Sequence, residues 1–305
     1  MKDILAGNFA ASRWQLWQPQ SIRVIDWNID RGLKLPEITD SLASQQADVL
    51  ILQEVDLNAR RTRCVNVAEE LARKLGMNYV FGREFQEWTQ GSKTSAAYHG
   101  QATLSRWRLA NPRIIRFRRQ SGFWRPPWFL PNAEPFQERL GGRIALVTEI
   151  DLWASRLVAY NLHLESRGNN NLRISQLNEV IEDVATYDPQ IPTLVAGDLN
   201  LDVSRVFPAF ASLGSGFRNA LGARAQRTTP SRGILGHPRS LDWAFVSGSL
   251  DRIGTRPPDS RRFRSLSNFV YAPVLLTGWI PIVGPSSIAE LLPTDDIGSS
   301  GFVFR

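Results

Sequence analysis

The chain has 305 residues, 43% of them hydrophobic and 21% charged, an ordinary globular balance that excludes a disordered or fibrous polypeptide. Its net charge is +7, and the basic residues are 32 Arg against 4 Lys, which favours a phosphorylated or polyanionic partner over a neutral one. One cysteine, Cys64, excludes a disulfide framework and a Cys-rich zinc site; it is expected to be a small buried or half-buried residue.

Taken in chain order, 21–26 (SIRVID) and 48–53 (DVLILQ) are short β-branched runs that predict buried strands. Between them 36–46 carries Ile38 and Leu42 at helical spacing and suits a crossover helix. A helix over 65–75 ends at Gly76, where a glycine can take the left-handed cap conformation. Further strands are predicted at 101–104, 143–150, 156–162, 193–196, 241–246 and 301–304, and a helix over 171–186. The alternation predicts one α/β domain over 21–305, preceded by an N-terminal extension over 1–20. No run of 7–15 apolar residues opens the chain, and the broken apolar stretch 269–283 is too short for an ordinary spanning helix. A cytoplasmic monomer is therefore expected.

Two segments read as inserts. Residues 113–129 hold five Arg, five aromatic residues and no acid; 252–293 begins with five Arg by position 264 and runs into the apolar stretch. Arginine interleaved with aromatics suits a nucleic-acid strand, through phosphate pairing and base stacking. It also suits an anionic membrane surface, or simply a packed hairpin. Arg116, Arg118 and Arg119 are the candidate substrate contacts in the first segment.

The chemistry sits where strands end. The first strand runs into Asn28 and Asp30, the second into Glu54, a later one into His163, and another into Asp198 and Asn200; the 241–246 strand contains Asp242, and Asp295 and Asp296 lie near the C-terminus. Singly, each suits a cap or turn. Together, so many carboxylates and amides at core strand ends need a cation or a hydrogen-bond network. Oxygen donors without cysteine fit a hard cation, Mg²⁺ or Mn²⁺.

The series WNID (27–30), LQEVD (52–56), HGQATLSR (99–106), NLHLES (161–166), GDLN (197–200) and LDWAF (241–245) resembles the endonuclease/exonuclease/phosphatase superfamily, in the family's order. The resemblance implies a four-layer α/β/β/α sandwich of two mixed sheets and a metal-dependent phosphoesterase, with a phosphodiesterase acting on nucleic acid favoured over one acting on lipid or a small phosphodiester. It implies that Glu54 and Asn28 hold the metal, with Asp30 as an additional ligand. His163 would bond the scissile phosphate, Asp198 orient or deprotonate the attacking water, and Asn200 position phosphate or metal. Asp242 would partner a histidine, Asp295 would help hold metal or phosphate, and Arg143 would support the site.

The chain departs from the family at one place: Asp296 stands where a histidine is expected, and no histidine follows His237. Three accounts are open. A second metal at Asp242, Asp295 and Asp296 replaces the imidazole; the chain is a catalytically impaired phosphate- or membrane-binding relative; or 267–269 is the true terminal motif. His99 is expected as a surface or core histidine and His237 as a loop residue.

Overall fold

The computed structural model describes residues 2–11, 21–125, 128–131, 138–153, 155–201, 217–220, 242–247, 252–256 and 300–304, with Val206, Pro208 and Phe210; Asp242, 252–256 and 300–304 enter as backbone. The elements are β1 Ile4–Gly7, β2 Val24–Arg31, α1 Leu35–Gln45, β3 Val49–Leu57, α2 Val67–Leu75, β4 Asn78–Glu87, β5 Ala97–Ser105, β6 Arg108–Arg116, β7 Arg139–Gly141, β8 Ile144–Asp151, β9 Arg156–His163, α3 Asn170–Val184, β10 Thr193–Asp198, β11 Phe217–Asn219 and β12 Asp242–Ser247. Arg252–Arg256 (β13) and Ser300–Phe304 (β14) pair with each other.

Two mixed sheets carry the molecule. The first has the order β1-β4-β5-β3-β2, with β7 added on β4; the second has the order β11-β12-β10-β9-β8-β6. The parallel pairs are β2–β3, joined through α1, and β9–β10, joined through α3; every other pairing is antiparallel. Parallel neighbours need such crossovers, and the helices cover the outer faces. Ile25, Leu50, Leu52 and Tyr79 alternate outward onto Ile38, Leu42, Leu71 and Ala72 of α1 and α2. Val24, Val49 and Ile51 alternate inward, on the face from which Gln53 bonds Asn161 of β9, and the same apolar cluster extends through Val147, Tyr160 and Val195 on the outer face of the second sheet to Leu177, Val180 and Ile181 of α3. This is the predicted α/β/β/α sandwich. Among the described residues no helix is long and apolar enough to cross a membrane.

Local signals account for the ends of α2. The Asn66 side chain accepts from the Glu69 backbone N–H, and Gly76 closes the helix at φ +63°. Three expectations need correction, and one strand was missed. Ile4–Gly7 is not part of an extension: it adds an edge strand to β4, and Asp3 salt-bridges Arg83 and Arg116 beside it. Residues 113–116 belong to β6, an edge strand paired with β8, so the basic segment begins inside the second sheet. The strand β4 escapes the sequence because NYVFGREFQE is buried on both faces and shows no alternation. Cys64 is exposed. Residues 257–293, including most of the second basic segment, and His237 lie outside the described residues.

Candidate active site

The first sheet departs from a regular ladder at one level. Between the partners Asn28↔Gln53 and Arg31↔Val55, β2 holds one residue more than β3. Between Leu52↔Ala102 and Val55↔Gly100, β3 holds one more than β5; between Arg83↔Gly100 and Phe85↔His99, β4 holds one more as well. Three strands, β2 and β3 on one side of β5 and β4 on the other, therefore carry bulges at one level, and each bulge contains a carboxylate: Asp30, Glu54 and Glu84. A bulge re-aims the side chain that alternation would have placed elsewhere. The backbone is correspondingly strained: Asp30 (φ +45°), Arg31 (+67°) and Glu54 (+52°) all sit in the left-handed region, each at a cost of about 1 kcal/mol or more. Gly100 is required at the centre, since an added Cβ would run into the Gly82 carbonyl oxygen.

The second sheet supplies its residues from strand ends in register. His163 closes β9 and Asp198 closes β10, paired side by side, and the Asp242 backbone lies opposite Asp198 at the start of β12. The carbonyl of Leu162 approaches Gly197 so closely that an added Cβ would overlap it, and Gly197 holds φ +138°. That tight pairing brings His163 Nε2 to 3.8 Å from Asp198 Oδ2. Asn200, at φ +50°, donates its backbone N–H to Asp198 Oδ1 (3.0 Å) and its amide to the Leu164 carbonyl (3.1 Å).

Arg143 ties the two halves together. One guanidinium nitrogen lies 3.0 Å from Glu84 Oε2 and 2.9 Å from His163 Nδ1, and the other bonds Ser166 at 3.3 Å. A guanidinium only donates, so His163 Nδ1 accepts and the proton of the neutral ring lies on Nε2, the edge facing Asp198. Burial, reinforced by Arg143, holds His163 well below the usual imidazole range, so the ring is neutral and presents an N–H donor. Glu84 also accepts from Gln101 (2.9 Å); burial pushes its carboxyl up, against the pull of Arg143. The Arg143 guanidinium packs over the Phe85 and Trp124 rings, and Trp124 donates its indole N–H to Glu165 at 2.7 Å.

Asn28 donates to Glu54 Oε1 at 3.1 Å and also bonds Asp198. Asp30 is paired with Arg31 at 2.6 Å, and Arg31 stands 3.9 Å from Glu54. Burial pushes Asp198 up to about 6, and the Glu54 charge adds to that push against the Asn200 N–H and Arg143. Burial acts on Glu54 too, but His99, Arg31, the Asn28 bond and Arg143 together bring its carboxyl below the ordinary value. The pair Glu54 and Asp198, with the Asn28 amide between them, is thus a concentration of oxygen donors whose mutual repulsion a hard cation would relieve, and the residues fit Mg²⁺ or Mn²⁺. The Glu54 side chain keeps 20% of its surface exposed, so this is an open position and not a closed cage. Consistently, no three His, Cys, Asp or Glu side chains enclose a cation among the described residues.

The structure brings together Asn28, Asp30, Glu54, Arg143, His163, Asp198 and Asn200. Asp242 is placed there by register alone, and Asp295 and Asp296 lie outside the described residues. Of the arginines singled out at 113–129, Arg116 bonds Asp3 (2.9 Å) and Arg118 bonds Glu182 (2.7 Å). Arg119 is exposed, and its carbonyl accepts from Gln176. Sequence reasoning missed Glu84 and Trp124. A lone acid inside the apolar run 78–85 was the available signal for Glu84; for Trp124 there was none.

The model of the Endonuclease/Exonuclease/phosphatase family matches residues 27–272. Among solved structures, an endonuclease/exonuclease/phosphatase from Beutenbergia cavernae is 18% identical with TM-score 0.58, over 83% of this chain and 70% of that one. The human Nocturnin catalytic domain with bound sulfate is 19% identical with TM-score 0.53, over 95% and 94%. ANGEL2, a 2′,3′-cyclic phosphatase, is 14% identical with TM-score 0.50, over 77% and 86%. No curated protein matches the chain.

Proposed function

This chain belongs to the endonuclease/exonuclease/phosphatase family, and from that premise we propose that it is a divalent-metal-dependent phosphodiesterase acting on nucleic acid. The observation that carries the reading is the opposition of a neutral N–H donor, His163, to a carboxylate poised near neutrality, Asp198, 3.8 Å apart. A general base works best with a pKa near the working pH, and Asp198 at about 6 meets that condition.

In this scheme Asp198 orients a water molecule and takes one of its protons as the oxygen attacks phosphorus in line with the leaving oxygen. His163 Nε2–H bonds a non-bridging phosphate oxygen and stabilises the charge that grows there, while Arg143 holds the ring in that tautomer. Asn200 fixes Asp198 through its backbone N–H. Glu54, with Asn28, would hold a divalent cation, which when bound lowers the cost of negative charge on phosphate and leaving oxygen. The proton lost by water leaves with Asp198, and the departing oxygen is protonated from solvent.

Nucleic acid is preferred over lipid for two reasons. The chain is arginine-rich, and it carries exposed aromatic rings: Phe123 (53% exposed) lies within the 3₁₀ turn Gly122–Trp124, against Trp124 and under the Arg167 guanidinium, and Trp128 (94%) and Phe129 (66%) are exposed further along the chain. Stacking on such rings is how single strands are held without sequence preference. The second reading, a binding protein without turnover, rests on Asp296 in place of histidine.

The test is hydrolysis of bis-(p-nitrophenyl) phosphate and of a nicked plasmid with Mg²⁺, Mn²⁺ or EDTA, for wild type, Asp198→Ala and Asp296→His. Metal-dependent turnover lost in Asp198→Ala supports the enzyme. Turnover that appears only in Asp296→His supports the binding protein.

A further inference from the structure

His99 lies in β5 at the level of the three bulges, 1% exposed, and the mechanism above gives it no task. Its Nδ1 is 2.9 Å from Asp56 Oδ1, its direct partner across the β3–β5 ladder. Both Asp56 oxygens are in turn taken by the Arg61 guanidinium, at 2.6 and 2.9 Å. Arg61 also bonds Glu87 (3.1 Å), which pairs with Arg139 (3.0 Å). A carboxylate locked on an arginine fork is an acceptor with a fixed direction, so the imidazole donates from Nδ1 and turns its Nε2 edge away from Asp56.

Along β5, His99 and Gln101 share the face turned towards the second sheet. Gln101 bonds Glu84, the bulge residue of β4. Glu54, the bulge residue of β3, stands opposite Gln101 in the β3–β5 ladder, and His99 is the next side chain of β5 on the same face, directly across from Asp56. Phe85 packs against the ring at 6.2 Å between centroids and limits its rotation. A chain of fixed contacts thus runs Arg61–Asp56–His99 and ends beside the strained residue that has the metal-holding role.

We propose that His99, oriented by Asp56, is a positioning residue for Glu54, setting the carboxylate for the divalent cation. The inference rests on the phosphodiesterase reading above. Outer partners of metal-holding groups govern affinity nearly as strongly as the ligands do, and losing one costs about 10–100-fold. His99 is also a second oriented imidazole at this site, contributed by the first sheet, in a chain whose terminal motif lacks one.

The experiment separates positioning from mere support. In His99→Asn the side-chain amide nitrogen falls where Nδ1 was, so the bond to Asp56 is kept and the Nε2 edge is lost. In His99→Gln the amide falls near Nε2 and the Asp56 bond is lost. Mn²⁺ binding to the metal-free proteins is measured by calorimetry for wild type, both variants and Glu54→Gln, with thermal melting of each. Expected are a melting point for His99→Asn close to wild type, Mn²⁺ binding weakened about 10–100-fold, and partial recovery in His99→Gln if that variant folds. Wild-type Mn²⁺ affinity in a folded His99→Asn overturns the proposal and leaves the phosphodiesterase reading intact. Absence of Mn²⁺ binding in wild type, with Glu54→Gln indistinguishable from it, overturns both. If His99→Asn fails to fold, Asp56→Asn is measured in the same way, and unchanged affinity there overturns the proposal.

Discussion

At the scale of single residues, the site depends on directions that charges impose on their neighbours. Arg143 fixes the His163 tautomer because it cannot accept a hydrogen bond, and it reaches Glu84 with the same nitrogen. Lysine offers a single point charge in place of that fork, so Arg143→Lys is expected to lower kcat by about 10–100-fold, with the loss in kcat and not in KM. Asp198→Asn keeps the shape and removes the base; kcat should fall at least about 100-fold while the melting point changes little. Asp26 offers a test by pH. It is buried, bonded by Gln53 at 2.8 Å through one oxygen, and burial holds its carboxyl well above the usual range. A raised folded-state value means that the ionised form is penalised only in the folded protein. Its cost is therefore absent below the unfolded value, near pH 4, and grows as pH rises toward the folded one. Asp26→Asn should flatten the fall in stability as pH rises above the unfolded value in denaturant titrations; identical profiles for the two proteins would contradict the assignment.

At the scale of elements, the close approach of β9 and β10 places the active pair. Gly197→Ala forces a methyl group onto the Leu162 carbonyl at a φ of +138°, and is expected to cost about 3 kcal/mol or more and to lower activity in whatever protein remains folded. The α2 cap is a milder control: Asn66→Ala should cost about 1 kcal/mol and leave turnover alone. Elements also mark what sequence could carry. The strands through 49–53, 156–162 and 193–196 and the helices over 65–75 and 171–186 were legible because their signals are local: apolar runs, helical spacing, a closing glycine. Glu54, His163 and Asp198 were legible as candidates for the same reason, each being a polar residue ending an apolar run. The bulges were not. They are properties of two strands compared, so nothing in LQEVD alone says that Glu54 has no partner in the ladder. Glu84 and the role of Arg143 were hidden likewise, since their bonds join residues 20 and 59 positions apart.

At the scale of the whole molecule, its positive charge is partly spent within the fold. Arg113 is held by Asp183, Arg116 by Asp3 and Arg118 by Glu179 and Glu182, so three arginines of the basic segment brace β6 against α3 and the N-terminal strand. Among its described residues, Phe123, Trp128 and Phe129 present aromatic rings outward, beside the exposed Arg125. Trp128→Ala with Phe129→Ala is therefore expected to weaken binding of a single-stranded oligonucleotide by about 10-fold or more without altering hydrolysis of bis-(p-nitrophenyl) phosphate, since each stacked base contributes about 1–3 kcal/mol. Fluorescence titration would measure it, and equal affinities would remove the aromatic surface from the substrate path.

The three adjacent bulges also make the molecule sensitive to length in a way that substitution does not reveal. Removing one residue, for instance Glu54 itself, would let β3 and β5 pair without a break, and a regular ladder with fewer left-handed residues is the more comfortable backbone. Such a deletion would keep Val55 opposite Gly100 and leave Val55 to Leu57 on the faces they now hold, while removing the carboxylate that the bulge presents. The apolar half of the strand, before residue 53, would keep its register and its core. A chain of this kind can thus lose its chemistry by a single codon deletion while remaining a well-made sandwich, and the irregular register at this one level is where its capacity for reaction is stored.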